Sequence, residues 1–250
     1  MTRAKTLYLT LFGVTALVMT GFSAALILLN VAAIMTASPH GIPREGIIPG
    51  PQFLYAWELP PDDPTFQSAV HGEELRMSVG ADAWNDASLD DPEIYSWGGT
   101  FQTLRTNYQD FSASVQVRSI DSDPYASGCL LVRGDGDYYT PIYAFTFCIS
   151  EDYGLWAYWY DETQGADAWD TPYIATAEYD DALKPLDEWN ELKIIAKGET
   201  IWMFLNGAYV GVARHSGTQT GAIGVSLDVE RDGYGAFAFR DLDIRRLGWF

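Results

Sequence analysis

Between Thr6 and Pro39 the chain carries no charged side chain, and this stretch limits how it can fold more than any other. Its apolar centre, LYLTLFGVTALVMTGFSAALILLNVAAIM (Leu7–Met35), exceeds the roughly 20 residues that cross a bilayer as a helix. A secretory signal peptide has a shorter apolar region, about 7–15 residues, followed by a cleavage site. No such site stands out, so the segment reads as an uncleaved anchor. Arg3 and Lys5 flank its start, and the far side is dominated by acids. The positive-inside tendency therefore leaves residues 1–6 as a cytoplasmic tail and sends residues 7–36 across the cytoplasmic membrane. The rest of the chain then lies outside, periplasmic or extracellular. Gly21 and Ala25 are four apart, a small-xxx-small pair that permits close helix contact, and Asn30 is a polar group that gains from a partner in lipid. The expectation is contact with other transmembrane subunits as well as with lipid; an ordinary anchor that tolerates small residues is the alternative.

Residues 37–52 follow as a short stalk. The run SPHGIPREGIIPGPQ holds four prolines and three glycines, which rule out a helix. From Phe53 onward the chain is strongly acidic: residues 45–250 hold 12 basic against 34 acidic side chains, a net charge of −22. Such a domain repels nucleic acid and anionic headgroups, so no nucleic-acid partner is expected. The acids keep an aromatic-rich domain, with 9 Trp and 15 Tyr in the chain, in solution. Their functional alternatives are calcium sites or a basic partner.

Residues 53–250 read as strands. In FSASVQVR (Phe111–Arg118), Phe111, Ala113, Val115 and Val117 face one way and Ser112, Ser114, Gln116 and Arg118 the other, the alternation of a half-buried strand. ELKIIAK (Glu191–Lys197) puts Leu192, Ile194 and Ala196 on one face. Thr200–Ala213 is two strands around Asn206-Gly207, a pair suited to a type I′ hairpin because both positions favour positive φ. GCLLVRG (Gly128–Gly134), IYAFTFCIS (Ile142–Ser150), YGLWAYWYD, GAIGVSLD and AFAFRDLDIRRL supply further strands. Regular spacing with turn signals argues for an all-β, two-sheet antiparallel sandwich or jelly roll. The two cysteines lie in consecutive strands. If Arg133 opposes Ala144, then Cys129 opposes Cys148 within disulfide range. An exported domain permits the bond; two buried free thiols are the alternative.

The order of these pieces is similar to a known pattern. A Gly-plus-Arg strand (GCLLVRG) leads to an aromatic strand (YAFTFCIS) and a Trp/Tyr strand (GLWAYWY). NELKIIAKGETIWMFLNGAYVG, a Gly-x-x-Gly strand and the Phe-rich FAFRDLDI complete it. From Phe111 to Leu247 the chain resembles the concanavalin A-like lectin/glucanase superfamily, and within it the 3-keto-disaccharide hydrolase or laminarinase-like domain. The resemblance implies a two-sheet jelly roll that binds or cleaves glycans outside the cell. Two departures bear on activity. The last strand of these domains often reads Phe-Asp-Asn-Phe, whereas this chain has Phe239-Arg240-Asp241-Leu242. The Glu-x-Asp-x-x-Glu strand of the family-16 glucanases is absent.

Chemistry is sparse elsewhere. Glycoside hydrolysis needs two carboxylates facing across a cleft, and most acids here sit in apparent turns, where they cap or are solvated. His40, His71 and His215 are too few for a His-rich metal site, and no nucleophile elbow stands near any serine. No catalytic residue is assigned. Calcium is the one cofactor with suitable oxygens in view: Asp135 and Asp137 in GDGDYY, and Asp121 and Asp123 in SIDSDP. Trp156, Tyr158 and Tyr160 share one face of their strand and form the candidate surface for a sugar or a protein partner; the alternative is a strand buried on both sides. Three roles follow. The leading expectation is a non-catalytic accessory subunit covering the outer face of a larger membrane complex, for example a respiratory or photosynthetic one. A cell-surface carbohydrate-binding module and a membrane-anchored glycoside hydrolase are the alternatives.

Overall fold

The computed structural model describes residues 66–80, 96–102, 108–136, 141–161, 180–215, 217, 219–229 and 233–247. The expected tail, span and stalk, with Gly21, Ala25 and Asn30, lie outside the described residues, as does Asp137. Among the described residues no helix is long and apolar enough to cross a membrane. All of them belong to one of the two compact units into which the chain divides, residues 44–250.

Twelve strands occur among the described residues. They are β1 (Phe66–His71), β2 (Glu74–Val79), β3 (Ser96–Gln102), β4 (Phe111–Ser122), β5 (Ser127–Gly136) and β6 (Pro141–Ser150). β7 (Gly154–Asp161), β8 (Asn190–Lys197), β9 (Thr200–Leu205), β10 (Ala208–Arg214), β11 (Ala222–Val229) and β12 (Gly235–Arg246) complete the set. Seven form one sheet in the order β1-β2-β12-β4-β8-β9-β10, and five form a second, β3-β11-β5-β6-β7. Neighbouring strands run antiparallel, and the chain passes back and forth between the sheets, the arrangement of a jelly-roll sandwich.

The core lies between the sheets because each strand sends every second side chain inward. Phe111, Ala113, Val115 and Val117 of β4 meet Leu130, Val132, Phe145 and Phe147 of the other sheet in one continuous cluster. Leu192, Ile194 and Ala196 join them from β8. Gly128 marks a close approach of the sheets: a Cβ there would lie 2.5 Å from Phe237 Cδ1 and 2.7 Å from Val117 Cγ2. The β9–β10 hairpin turns at Asn206 and Gly207, with φ of 49° and 82°.

The β5–β6 pairing runs in register from Gly128–Ile149 to Val132–Phe145 and places Cys129 opposite Cys148. It breaks at Arg133, which does not pair with Ala144; the next matched pair is Asp135 with Tyr143. Arg133 sits in this bulge at φ 57°, fully buried. Its Nη2 donates to Gly198 O at 2.6 Å, at the β8–β9 turn of the opposite sheet. Burial lowers its pKa from the ordinary guanidinium range, and the charge of Asp110 opposes that effect. A Cβ on Gly221 would meet the Arg133 carbonyl carbon at 2.4 Å, so the bulge needs glycine beside it.

Candidate functional site

Two outer sheet faces carry chemistry, and they are built differently. On the five-stranded sheet, β11 turns Ile223, Val225, Leu227 and Val229 inward and leaves Gly224, Ser226 and Asp228 outward. Ser226 opposes Cys129, and Asp228 opposes Ser127. Across β6 and β7 the Ser226–Cys129 row continues to Cys148 and Trp156, and the neighbouring row of Gly224 and Leu131 continues to Thr146 and Tyr158. Cys129 and Cys148 are joined in a disulfide. The rings of Trp156 and Tyr158 stack at 4.7 Å and 14°. Trp156 Nε1 donates to Ser127 Oγ at 3.2 Å, and the Tyr158 hydroxyl donates to Asp228 Oδ2 at 2.9 Å. That oxygen lies 3.4 Å from the Cys129 sulfur.

Asp228 is a carboxyl among apolar and sulfur atoms. Its Oδ1 is sealed from solvent and has no hydrogen-bond partner among the described residues. Burial pushes its pKa up to about 6, with the Tyr158 and Ser226 side chains pulling the other way. One ligand atom each from Cys129, Cys148 and Asp228 lie within 4.8 Å of one another. That spacing would suit a metal, but the disulfide leaves no thiolate to bind one. Tyr158 is buried and Trp156 half-buried, while Tyr153 and Tyr125 extend the aromatic row to the surface. Tyr160 lies two residues along β7, opposite Ala144; its side chain is outside the described residues.

Of the calcium candidates, Asp123 serves as a clip. Its Oδ1 accepts the backbone N–H groups of Tyr125 and Ala126, each at 2.9 Å, and its Oδ2 accepts that of Tyr234 at 2.7 Å. Asp121 is exposed on β4, and Asp135 falls at the β5 bulge. His215 stacks on Trp159 at 3.8 Å and accepts the Gly217 N–H at its Nδ1.

The outer face of the seven-stranded sheet is half exposed and carries three rows. Arg76, Ala238 and Arg118 form the first, across β2, β12 and β4. Arg240, Gln116 and Glu191 form the next, across β12, β4 and β8. Ser114, Lys193, Phe204 and Tyr209 form the third, with Phe204 and Tyr209 edge to face at 5.9 Å. Trp189 stands at the edge of these rows, on the loop that leads into β8. The guanidinium carbon of Arg240 lies 4.0 Å from its ring centre, and that of Arg118 lies 4.8 Å away.

The Asn-x-Leu…Asn-Gly run explains how Trp189 is held. Asn190 Oδ1 accepts Lys184 N–H at 3.0 Å and Asn206 Nδ2 at 2.8 Å, while its own Nδ2 donates to Glu188 O at 3.2 Å. Asn206 Oδ1 accepts Glu191 N–H at 2.9 Å, and Lys184 Nζ donates to Trp189 O at 3.1 Å. The two asparagines thus pin both ends of the 184–189 loop to the hairpin.

The three arginines are unequally committed. Glu74 Oε2 accepts Arg76 Nε and Nη2 at 3.2 and 3.0 Å. Its Oε1 lies 3.6 Å from Arg118 Nη2, and Asp241 Oδ2 lies 3.4 Å from Arg240 Nε. The Nε atoms of Arg118 and Arg240 are buried without a hydrogen bond. Such a face can receive hydrogen-bond acceptors and negative charge. Trp189 and Arg118 were not singled out as a site in the sequence. The departure at Arg240 from the Phe-Asp-Asn-Phe pattern was the available signal.

Comparison with known proteins bears on the whole domain. The model of the 3-keto-alpha-glucoside-1,2-lyase-like domain matches residues 69–245. No curated protein matches the sequence. Among solved structures, a family-66 carbohydrate-binding module from Bacillus subtilis is similar at 13% identity and a TM-score of 0.50, over 72% of this chain and 95% of that one. A glycosyl hydrolase, putative by its own description, from Parabacteroides distasonis aligns at 13% identity and a TM-score of 0.43, over 69% and 81%. At 13% identity the likeness to the carbohydrate-binding module shows a shared fold and nothing more.

Proposed function

The chain belongs to the 3-keto-alpha-glucoside-1,2-lyase-like domain family, and on that footing we propose that it is a carbohydrate-binding domain whose binding surface is the outer face of the seven-stranded sheet. One observation carries the choice of surface. Trp189, Arg118 and Arg240 stand together on a half-exposed face, and among the described residues neither arginine makes a hydrogen bond. Gln116, Glu191, Lys193, Phe204 and Tyr209 extend that face with the mixture of polar and aromatic groups that sugar hydroxyls and sugar ring faces require. On the other sheet, Trp156 and Tyr158 direct their polar atoms at Ser127 and Asp228. They support a structural role better than a ligand contact. Glycan cleavage is not part of this reading: Glu74 is paired with Arg76 and Arg118, and the glucanase acid motif is absent.

In this reading residues 7–36 tether the domain at the outer side of the membrane. The test is a glycan array probed with the intact chain and with Trp189→Ala. Retention of a saccharide that the variant loses is the expected result. An array on which the intact, folded chain retains no glycan would remove the proposal. The accessory-subunit role draws on the apolar segment with Gly21, Ala25 and Asn30. Purification in mild detergent tests it, since migration of the chain without companions would count against it.

A further inference from the structure

We propose that the saccharide held on this face is anionic, its carboxylate or sulfate group received by the guanidinium groups of Arg118 and Arg240. The inference rests on the carbohydrate-binding reading above and adds the class of sugar.

Charge is the first argument. The region from residue 45 onward has a net charge of −22, yet Arg76, Arg118 and Arg240 converge on three adjacent strands of one face. Like charges brought together cost energy unless an opposite charge offsets them. The acids beside them offset only part. Glu74 makes its hydrogen bonds to Arg76 and lies beyond hydrogen-bond distance of Arg118. Asp241 is mostly exposed, with 63% of its side-chain surface open. An exposed carboxylate screens a neighbour weakly.

Geometry is the second argument. Trp189 lies against both guanidinium groups, and such a cation–π contact restrains where each group sits. A guanidinium binds a carboxylate or sulfate through two parallel hydrogen bonds from its N–H edge. Among the described residues neither Arg118 nor Arg240 makes a hydrogen bond; the Nε of each is buried, while 28% and 37% of the two side chains' surface is open. The open part of each guanidinium is where an incoming acceptor can bind. A neutral sugar hydroxyl would satisfy one donor and leave the charge; a uronate or sulfated sugar satisfies both. The sugar ring can then extend along Gln116 and Glu191 toward Phe204 and Tyr209, the next two rows of the same face.

The experiment is a binding titration of the intact chain with polygalacturonate, dextran sulfate, neutral laminarin and poly-glutamate at low and high salt. Variants Arg240→Gln and Arg240→Lys are compared, and a thermal melt of each confirms that it is folded. The expected result is binding to polygalacturonate or dextran sulfate that weakens with salt and falls about tenfold or more in Arg240→Gln. Arg240→Lys should recover only part, because it restores charge without the fork. Binding of laminarin as tight as that of either acidic polymer, unchanged in Arg240→Gln, would overturn the anionic proposal and leave carbohydrate binding standing. Binding of no saccharide would overturn both. Equal affinity for poly-glutamate would overturn the assignment to a sugar.

Discussion

The two outer faces of this sandwich place similar side chains in opposite states. On the five-stranded sheet, Trp156 and Tyr158 donate to Ser127 and Asp228 beside a disulfide, and Tyr158 is 2% exposed. On the seven-stranded sheet, Trp189 lies against two partly open arginines that make no hydrogen bond among the described residues. An aromatic residue on a strand face is therefore not by itself a binding site. What separates the two faces is whether the charged group beside the rings accepts a hydrogen bond from them, as Asp228 does from Tyr158, or makes none among the described residues, as with Arg118 and Arg240, and that difference predicts which substitutions alter stability and which alter binding.

The largest effect is expected at the disulfide. Replacing Cys129 and Cys148 with serine removes a crosslink spanning 19 residues, which the chain-entropy model values at about 3 kcal/mol. The melting temperature should fall by roughly 10 °C while glycan binding is kept. Loss of binding in a variant that remains folded would mean that the closed face takes part in recognition. Asn190→Ala comes next. It strips the acceptor from Lys184 N–H and Asn206 Nδ2, at a cost of about 2–3 kcal/mol. It should also weaken binding, because the 184–189 loop carries Trp189. A melt and a titration on the same sample would show whether the two losses travel together.

Asp228→Asn tests the closed face through pH. The folded-state pKa of Asp228 is raised to about 6, above the ordinary aspartate value near 3.9. The folded chain therefore holds this proton over a range where the unfolded chain has lost it. Stability falls as pH rises from about 4 to about 6 and stays lower above that. The total is about 2 kcal/mol after allowance for partial exposure. Melts across that window should be flatter for Asp228→Asn than for the parent, and an unchanged slope would assign the pH dependence elsewhere. The smallest stability effect is expected for Trp189→Phe. It should shift the melt by under about 1 kcal/mol, while the weaker cation–π contact loosens the arginines and reduces binding several-fold. A large drop in melting temperature would instead make Trp189 a packing residue.

Much of the scaffold was legible before any coordinates. The alternation in Phe111–Arg118, the inward set Leu192, Ile194 and Ala196, and the Asn206-Gly207 turn are all local patterns, and the structure shows each. They are legible because burial on one face imposes a period of two, and because a tight hairpin demands positive φ. The bulge at Arg133 was not legible. A bulge is a relation between two strands, and the run GCLLVRG carries no mark of where its partner slips. The convergence of Arg118, Arg240 and Trp189 was hidden for a similar reason. β12 lies beside β4 although more than a hundred residues separate them in sequence, so their outward arginines meet only once the strand order is known. Asp228 was within reach. Gly224, Ser226 and Asp228 alternate with Ile223, Val225 and Leu227, and an acid in such a row belongs to a sheet face rather than to a turn.

The place of β12 also fixes an order of events. Every strand of the five-stranded sheet has been made by Val229, whereas the seven-stranded sheet lacks the strand between β2 and β4 until Gly235–Arg246 has emerged. During synthesis the closed face can assemble first, with its cysteines already opposed. The surface bearing Arg240 comes into being last, through the insertion of a strand into the middle of a waiting sheet. Such late, long-range pairing is slow. A chain interrupted before Gly235 would retain every strand of the disulfide sheet and lack the face proposed above to bind a saccharide.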